Sequence, residues 1–300
     1  MKSVQRSNLI AVCWMVGVLL SLSAMAVSIR TLAGTFNIFE ILTIRSAGAM
    51  AILLSLAALG PGRVRQLAPR RMVLHAIRNL VHFFAQYAWT LGLTLLPLAT
   101  VFALEFTMPL WIALLAPLVL DERMTLTRAG SIALGFIGVL IILRPGLESF
   151  RPAALLVLAA AAGFAISLIA TKKLTVDVST FAIVFWMNAI QLPLALIGSN
   201  WSSLLSLEAR QVPAAVALAV AGLSAHYCLS NAFRRGDAIF VIPFDFLRIP
   251  LIALVGWMFY GEDLDAFVFL GATVIVSGVI WTLVAETQEP ASFKPLNKTG

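Results

Sequence analysis

His75, Arg78, His82 and Gln86 stand three, four and four residues apart in an otherwise apolar stretch. On an α-helix this spacing lines them up on one face, with Asn79 at its border. One histidine alone reads as a packing residue. Four polar side chains in register favour the lining of a cavity, because charges at membrane depth face water, a cavity or a partner. Two carboxylates lie in comparable surroundings, Glu105 in LATVFALEFTMPLWIALLAPLVLDE and Asp245 in AIFVIPFDFLRIPLIALVGWMFYGE. Asp245 stands three residues before Arg248, near enough to pair along a helix. Glu105 has no base in its own stretch, which leaves Arg45 or Arg78 to neutralise it across a bundle. A buried carboxyl without such a partner is the expected carrier of a coupling proton. Arg45 can clamp Glu40 or Glu105, or touch a solute. Glu40 can cap its helix or gate the mouth of a cavity, and His226 can line the cavity or bond a neighbour. The aromatics Tyr87, Trp89, Trp111 and Tyr227 can stack on a planar or cationic solute or serve as packing.

No reactive constellation accompanies these residues. The phosphate-binding pattern G-x-x-x-x-G-K-[ST] is missing. No cysteine or acid is close in sequence to His75 and His82 to complete a metal site, so neither cofactor nor metal is expected. Cys13 and Cys228 lie in apolar runs and read as small buried hydrophobes.

The positions of these residues depend on the elements that carry them. The chain has 300 residues, 61% hydrophobic and 12% charged, with a mean hydropathy of +0.97. That is too apolar for one soluble core, where about 25% charged residues is usual. The reading is ten transmembrane helices, at about 9–29, 38–59, 73–93, 98–120, 127–143, 152–171, 179–199, 212–233, 238–260 and 265–285. Met1–Ala26 resembles a cleavable signal, but its apolar run from Leu9 to Ile29 is long enough to span, so retention is expected. Pro109, Pro117, Pro243 and Pro250 fall inside the fourth and ninth spans and predict kinks there.

With the N-terminus in the cytoplasm, fourteen basic residues fall on the cytoplasmic side and four on the other, with Arg45, Arg78 and Arg248 inside spans. That asymmetry predicts both termini inside. It also explains the formal charge of +7 without a nucleic-acid partner.

The fourth and ninth spans repeat one another. A gapless offset of 140 places Glu105 on Asp245, Glu122 on Glu262 and Tyr87 on Tyr227. Five spans per unit is odd, so the second unit must enter the membrane inverted, as in many carriers. The units are 1–146 and 147–285, followed by a polar tail at 286–300. Glu105 lies about seven residues from the outer end of its span and Asp245 about seven from the inner end. At about 1.5 Å per residue they should differ in height by roughly 10 Å, as two stations on one pathway. Glu122 and Glu262 should be end-caps.

Phe39-Glu40 with Arg45, then His75-x-x-Arg78, Tyr87-x-Trp89-x-x-Gly92, and Glu122 before a glycine-rich fifth span resemble the drug/metabolite transporter superfamily, EamA type. Pro243-x-Asp245-x-x-Arg248 and Gly261-Glu262 repeat the pattern. The resemblance covers about 10–285 and implies two inverted five-helix repeats around a central cavity. It also implies transport of small organic solutes rather than catalysis. The third span is similar to that of bacterial S-adenosylmethionine uptake carriers. S-adenosylmethionine, amino acids and vitamins are thus candidate solutes.

The expected protein is a secondary carrier of the bacterial inner membrane working by alternating access, with proton coupling left open. The oligomeric state is left open; because the repeat is internal, a monomer is compatible with this reading. The solute is expected at Arg78, His82, Asn79, Gln86, Tyr87, Trp89, Tyr227, Asp245 and Arg248, with coupling or gating at Glu105, Arg45, Glu40 and His75. A channel or facilitator is the alternative, ahead of a membrane enzyme or scaffold.

Overall fold

The computed structural model describes residues 2–95, 104–122, 124–143, 152–260 and 266–288. Gly261-Glu262 and residues 289–300 of the tail lie outside these. Among the described residues every regular element is helical. An apolar chain in lipid has no water to take up its peptide groups, so each segment must satisfy its own.

The long helices are α1 (Lys2–Leu32), α2 (Ile38–Ala58), α4 (Met72–Leu95), α7 (Pro152–Leu174), α8 (Thr180–Ile197) and α10 (Val212–Arg235). Shorter ones are α3 (Pro61–Gln66), α5 (Met108–Val119), α6 (Leu126–Leu143) and α9 (Trp201–Leu205). The chain continues through α11 (Ala238–Val241), a 3₁₀ segment (Ile242–Leu247), α12 (Arg248–Tyr260) and α13 (Ala266–Gln288). Five described stretches are long and apolar enough to cross a membrane: Asn8–Ile29, Ile38–Ala58, Ala153–Leu174, Thr180–Ile197 and Val212–Arg235. The 24-residue α4 is not among them, because its buried face carries the histidines, arginine and amides singled out above.

The repeat is visible in the helix boundaries. Moving α4 by 140 residues gives 212–235, the span of α10, and moving the starts of α5 and α6 gives the starts of α12 and α13. Packing repeats in the same way. The contact of α1 with α10 has its counterpart in α7 with α4, and that of α2 with α10 in α8 with α4. The equivalents α2 and α8 pack on each other, as do α6 and α13. At the α6–α13 contact a Cβ on Gly138 would lie 2.7 Å from the Gly271 carbonyl. Small residues bring two backbones together there, the usual basis of close helix contact in lipid.

The expected kinks in the fourth and ninth spans are full breaks. Glu105 ends one helical stretch, Phe106-Thr107 form a turn, and α5 restarts with Pro109 in its first turn. There the missing proline N–H costs nothing. In the ninth span Pro243 opens the 3₁₀ segment that carries Asp245, and α12 begins at Arg248. Each repeat is therefore interrupted at its intramembrane carboxylate.

Candidate functional site

The polar face of α4 is sealed within the bundle. His75, Arg78, Asn79, His82 and Gln86 are all buried, and Arg78 is 1% exposed. Arg78 donates from Nε to Thr171 Oγ1 on α7 at 2.9 Å and from Nη1 to Asn79 Oδ1 at 2.7 Å. Asn79 in turn donates to the Trp186 carbonyl on α8 at 3.5 Å.

Arg45, 2% exposed on α2, joins this stripe through α8. Its Nη2 donates to Gln191 Oε1 at 2.9 Å, and Gln191 Nε2 meets His82 Nδ1 at 3.1 Å. The His82 ring packs edge-on against His226 of α10 and Phe164 of α7, with centroids 5.2 and 5.6 Å apart. The stem of Arg45 crosses α10 at Gly222, where a Cβ would come within 2.9 Å of its Cγ and Cδ. Both imidazole nitrogens of His75, Gln86 Oε1, and Arg45 Nε and Nη1 have no hydrogen-bond partner among the described residues.

A second cluster lies where the two broken spans meet. Arg248 Nη2 donates to Glu105 Oε1 at 2.8 Å and to Asp245 Oδ2 at 3.3 Å. Trp89 Nε1 donates to Glu105 Oε2 at 2.8 Å. The Arg248 guanidinium also sits 4.9 Å from the centroid of Phe106, which stacks on Phe246 at 5.8 Å. Phe106 and Phe246 are equivalents under the 140-residue offset, as are Glu105 and Asp245, so equivalent residues meet at the junction of the halves.

Several sequence expectations change here. Glu105 and Asp245 share one guanidinium nitrogen instead of standing about 10 Å apart in height. The depth count assumed two continuous helices, whereas both spans are broken beside their carboxylate. Glu105 is not free of arginine, because Arg248 reaches it from the opposite half. Arg45 clamps neither Glu40 nor Glu105. Glu40 completes a capping box with Asn37 and accepts from the Asn200 N–H at 3.3 Å, so its carboxylate is engaged in capping. Trp89 is a hydrogen-bond donor to Glu105, while Tyr87 packs on Phe39 at 5.2 Å. Tyr227 is 40% exposed beside Trp14, while its neighbour His226 turns toward the stripe.

Thr171, Gln191 and Gly222 were missed. Gln191 follows Asn188 by three residues in an apolar helix, and Thr171 follows Ser167 by four, a signal of the kind that marked α4.

Glu122 caps an element other than its own. Its two oxygens accept from the Ala238 and Ile239 N–H groups at 2.9 and 3.0 Å, at the start of the ninth span. Burial pushes its carboxyl above the ordinary value and Asp237 adds to the shift; the two N–H donors and Lys172 pull the other way. Around it Arg128 pairs with Asp237 at 3.2 Å, and Lys172 Nζ donates to the Phe233 and Gly236 carbonyls at 2.6 and 2.5 Å. A separate cleft of about 260 Å³, lined by Arg65, Arg70 and Asp177 among others, lies where the α3–α4 and α7–α8 connections meet.

The profile of the EamA-like transporter family matches this chain twice, over residues 9–144 and 151–284. The chain belongs to that family. The double match makes it a multi-pass membrane protein built from two EamA repeats. It is 26% identical over 297 residues to the S-adenosylmethionine uptake transporter of Rickettsia prowazekii, covering 97% of this chain and 98% of the relative. It is 34% identical over 216 residues to a riboflavin transporter of Rhizobium johnstonii, covering 70% and 69%. A solved crystal structure superposes with a TM-score of 0.76 at 18% identity, over 93% of this chain and 98% of that one. That likeness is one of fold. The family is one of transporters, so the buried polar residues need no enzymatic role.

Proposed function

We propose that this EamA-family protein is a secondary carrier that moves a small polar organic solute across the bacterial inner membrane by alternating access. Ten spans form two inverted five-helix units, 1–146 and 147–285, with both termini in the cytoplasm. The observation that carries this reading is the buried row of Arg78, His82 and Gln86, continued by the half-buried Trp89 to the Glu105–Arg248–Asp245 cluster. The row runs between elements of both halves, where inverted-repeat carriers hold their solutes beside broken helices. The solute contacts Arg78, His82, Asn79 and Gln86, and one unit suffices for transport.

Two carboxylates around one guanidinium leave one negative charge uncompensated. A coupling proton on Glu105 or Asp245 would neutralise it. The names of the relatives supply the first solutes to try, S-adenosylmethionine and riboflavin. The test is counterflow in proteoliposomes loaded with one of these. Saturable exchange of labelled solute supports a carrier; flux that never saturates and shows no counterflow points to a channel.

A further inference from the structure

We propose that the solute of this site carries an anionic group, a carboxylate or a phosphate, that docks between Arg45 and Arg78. The inference rests on the carrier reading above and specifies the chemistry of its cargo.

Both guanidinium groups are buried, at 2% and 1% exposure, and neither forms an ion pair among the described residues. Arg78 is held by the neutral oxygens of Thr171 and Asn79. Arg45 spends one nitrogen on the amide of Gln191, and its other two have no partner among the described residues. The nearby carboxylates are engaged elsewhere. Glu105 and Asp245 hold Arg248, Glu122 holds two backbone N–H groups, and Glu40 closes its own helix cap. A buried cation without a counter-charge is among the costliest groups a membrane protein can retain. A ligand that brings the missing charge removes that cost, and the planar arginine fork suits carboxylate and phosphate oxygens.

The other half carries no charge at the equivalent positions. The offset of 140 puts Phe185 in the place of Arg45 and Leu218 in the place of Arg78. The second half therefore builds the equivalent helices with apolar residues at both positions. The acids Glu105 and Asp245, in contrast, are common to both halves. Arg45 also depends on a local opening, since Gly222 leaves its stem room that an alanine would fill. Gln191 links Arg45 to His82 by hydrogen bonds, and the His82 ring packs edge-on against His226, so neutral polar groups rather than acids surround the two arginines.

Two solute pairs and two small anions test this. The pairs are S-adenosylmethionine with its decarboxylated form, and riboflavin 5′-phosphate with riboflavin; each differs in one anionic group. The small probes are acetate and inorganic phosphate against acetamide, at constant ionic strength with chloride as the reference salt. Thermal unfolding of the purified full chain should shift upward, saturably, with acetate or phosphate and not with acetamide. The carboxylate and phosphate arms identify the preferred anion. In counterflow the anionic member of the transported pair should compete at least tenfold better than its partner. Arg45→Gln and Arg78→Gln should lose both effects, whereas Arg45→Lys should keep part of them. The unliganded Arg45→Met protein should melt at or above the wild-type temperature, because an uncompensated charge has been removed; a lower melting temperature would show that Arg45 is a structural clamp and overturn the proposal. Equal shifts with acetate, phosphate and acetamide would also overturn it, as would equal competition within both pairs. Anion stabilisation without counterflow would remove the carrier reading and leave the anion site. Counterflow indifferent to the anionic group would do the reverse.

Discussion

Replacing Arg248 with methionine removes the one cation between Glu105 and Asp245. Their oxygens are 2.8 and 3.3 Å from the same Nη2, with side chains only 7% and 8% exposed. Without Arg248 two like charges face one another within about 6 Å, worth about 3 kcal/mol of repulsion at an effective dielectric constant near 20. Losing one partner of a buried pair costs about 3–5 kcal/mol as a whole. Of a stability of about 5–15 kcal/mol that is a large share. Trp89 still donates to Glu105, which leaves Asp245 as the more exposed to the loss. The assay is unfolding of purified protein at neutral pH. Arg248→Met should be destabilised by about 3–5 kcal/mol. Adding Glu105→Gln and Asp245→Asn should restore most of the loss, because the cost comes from stranded charge. A variant that melts like wild type at neutral pH, or a triple variant no better than the single, would refute the reasoning.

Three further outcomes are expected. Reporters fused at Arg65 and Arg234 should be cytoplasmic and one at Glu208 external; an external label reaching a cysteine at Arg65 in intact cells would reverse the topology. Gly138→Leu should lower stability by about 1–3 kcal/mol by forcing α6 from α13, where a Cβ already meets Ile275 Cγ1 at 2.6 Å; Gly34→Ala, which meets nothing within 4 Å, is the control. Glu122 has a raised folded pKa, so its contribution is fully present below the ordinary glutamate value and is lost as pH rises through the folded one; Glu122→Gln should therefore flatten the fall in melting temperature as pH rises above the ordinary glutamate value, and an unchanged slope would assign that fall to another group.

The sequence made much of this site legible where polarity interrupts a helical period. The α4 stripe stood out because His75, Arg78, His82 and Gln86 share one face of an apolar helix. The offset of 140 also proved a structural period, down to the ends of α4 and α10. Three-dimensional partnership was not legible in the same way. Glu105 has no base near it in sequence, yet its partner comes from the other half through a broken helix. The prolines announced an interruption; the choice between kink, turn and 3₁₀ segment depends on which neighbours take up the freed carbonyls, and that is a tertiary matter. Arg45 was visible as an intramembrane charge, but its amide partner Gln191 sits 146 residues away.

The two halves differ where a carrier needs them to differ. The acids at the junction are common to both, and so are the stacked phenylalanines, so the contact between the halves is made by equivalent residues. The cations are not. Arg248 has Met108 as its equivalent, and Arg45 and Arg78 have Phe185 and Leu218. The charged network around Glu122 is one-sided as well: Lys172, Arg128 and Asp237 correspond to Leu32, Val268 and Pro97. The end of the bundle at Glu122 is thus held by the Arg128–Asp237 pair and by backbone hydrogen bonds from Glu122 and Lys172, and in the sequence of the other half those three charges have uncharged counterparts. If the two units exchange conformations as the proposed carrier cycle requires, three charges without charged counterparts in the other half would favour the state in which the Glu122 end is closed. On the carrier reading proposed above, the direction of transport would then depend on three side chains away from the proposed solute site, and the proposal for Arg45 and Arg78 concerns only what is carried.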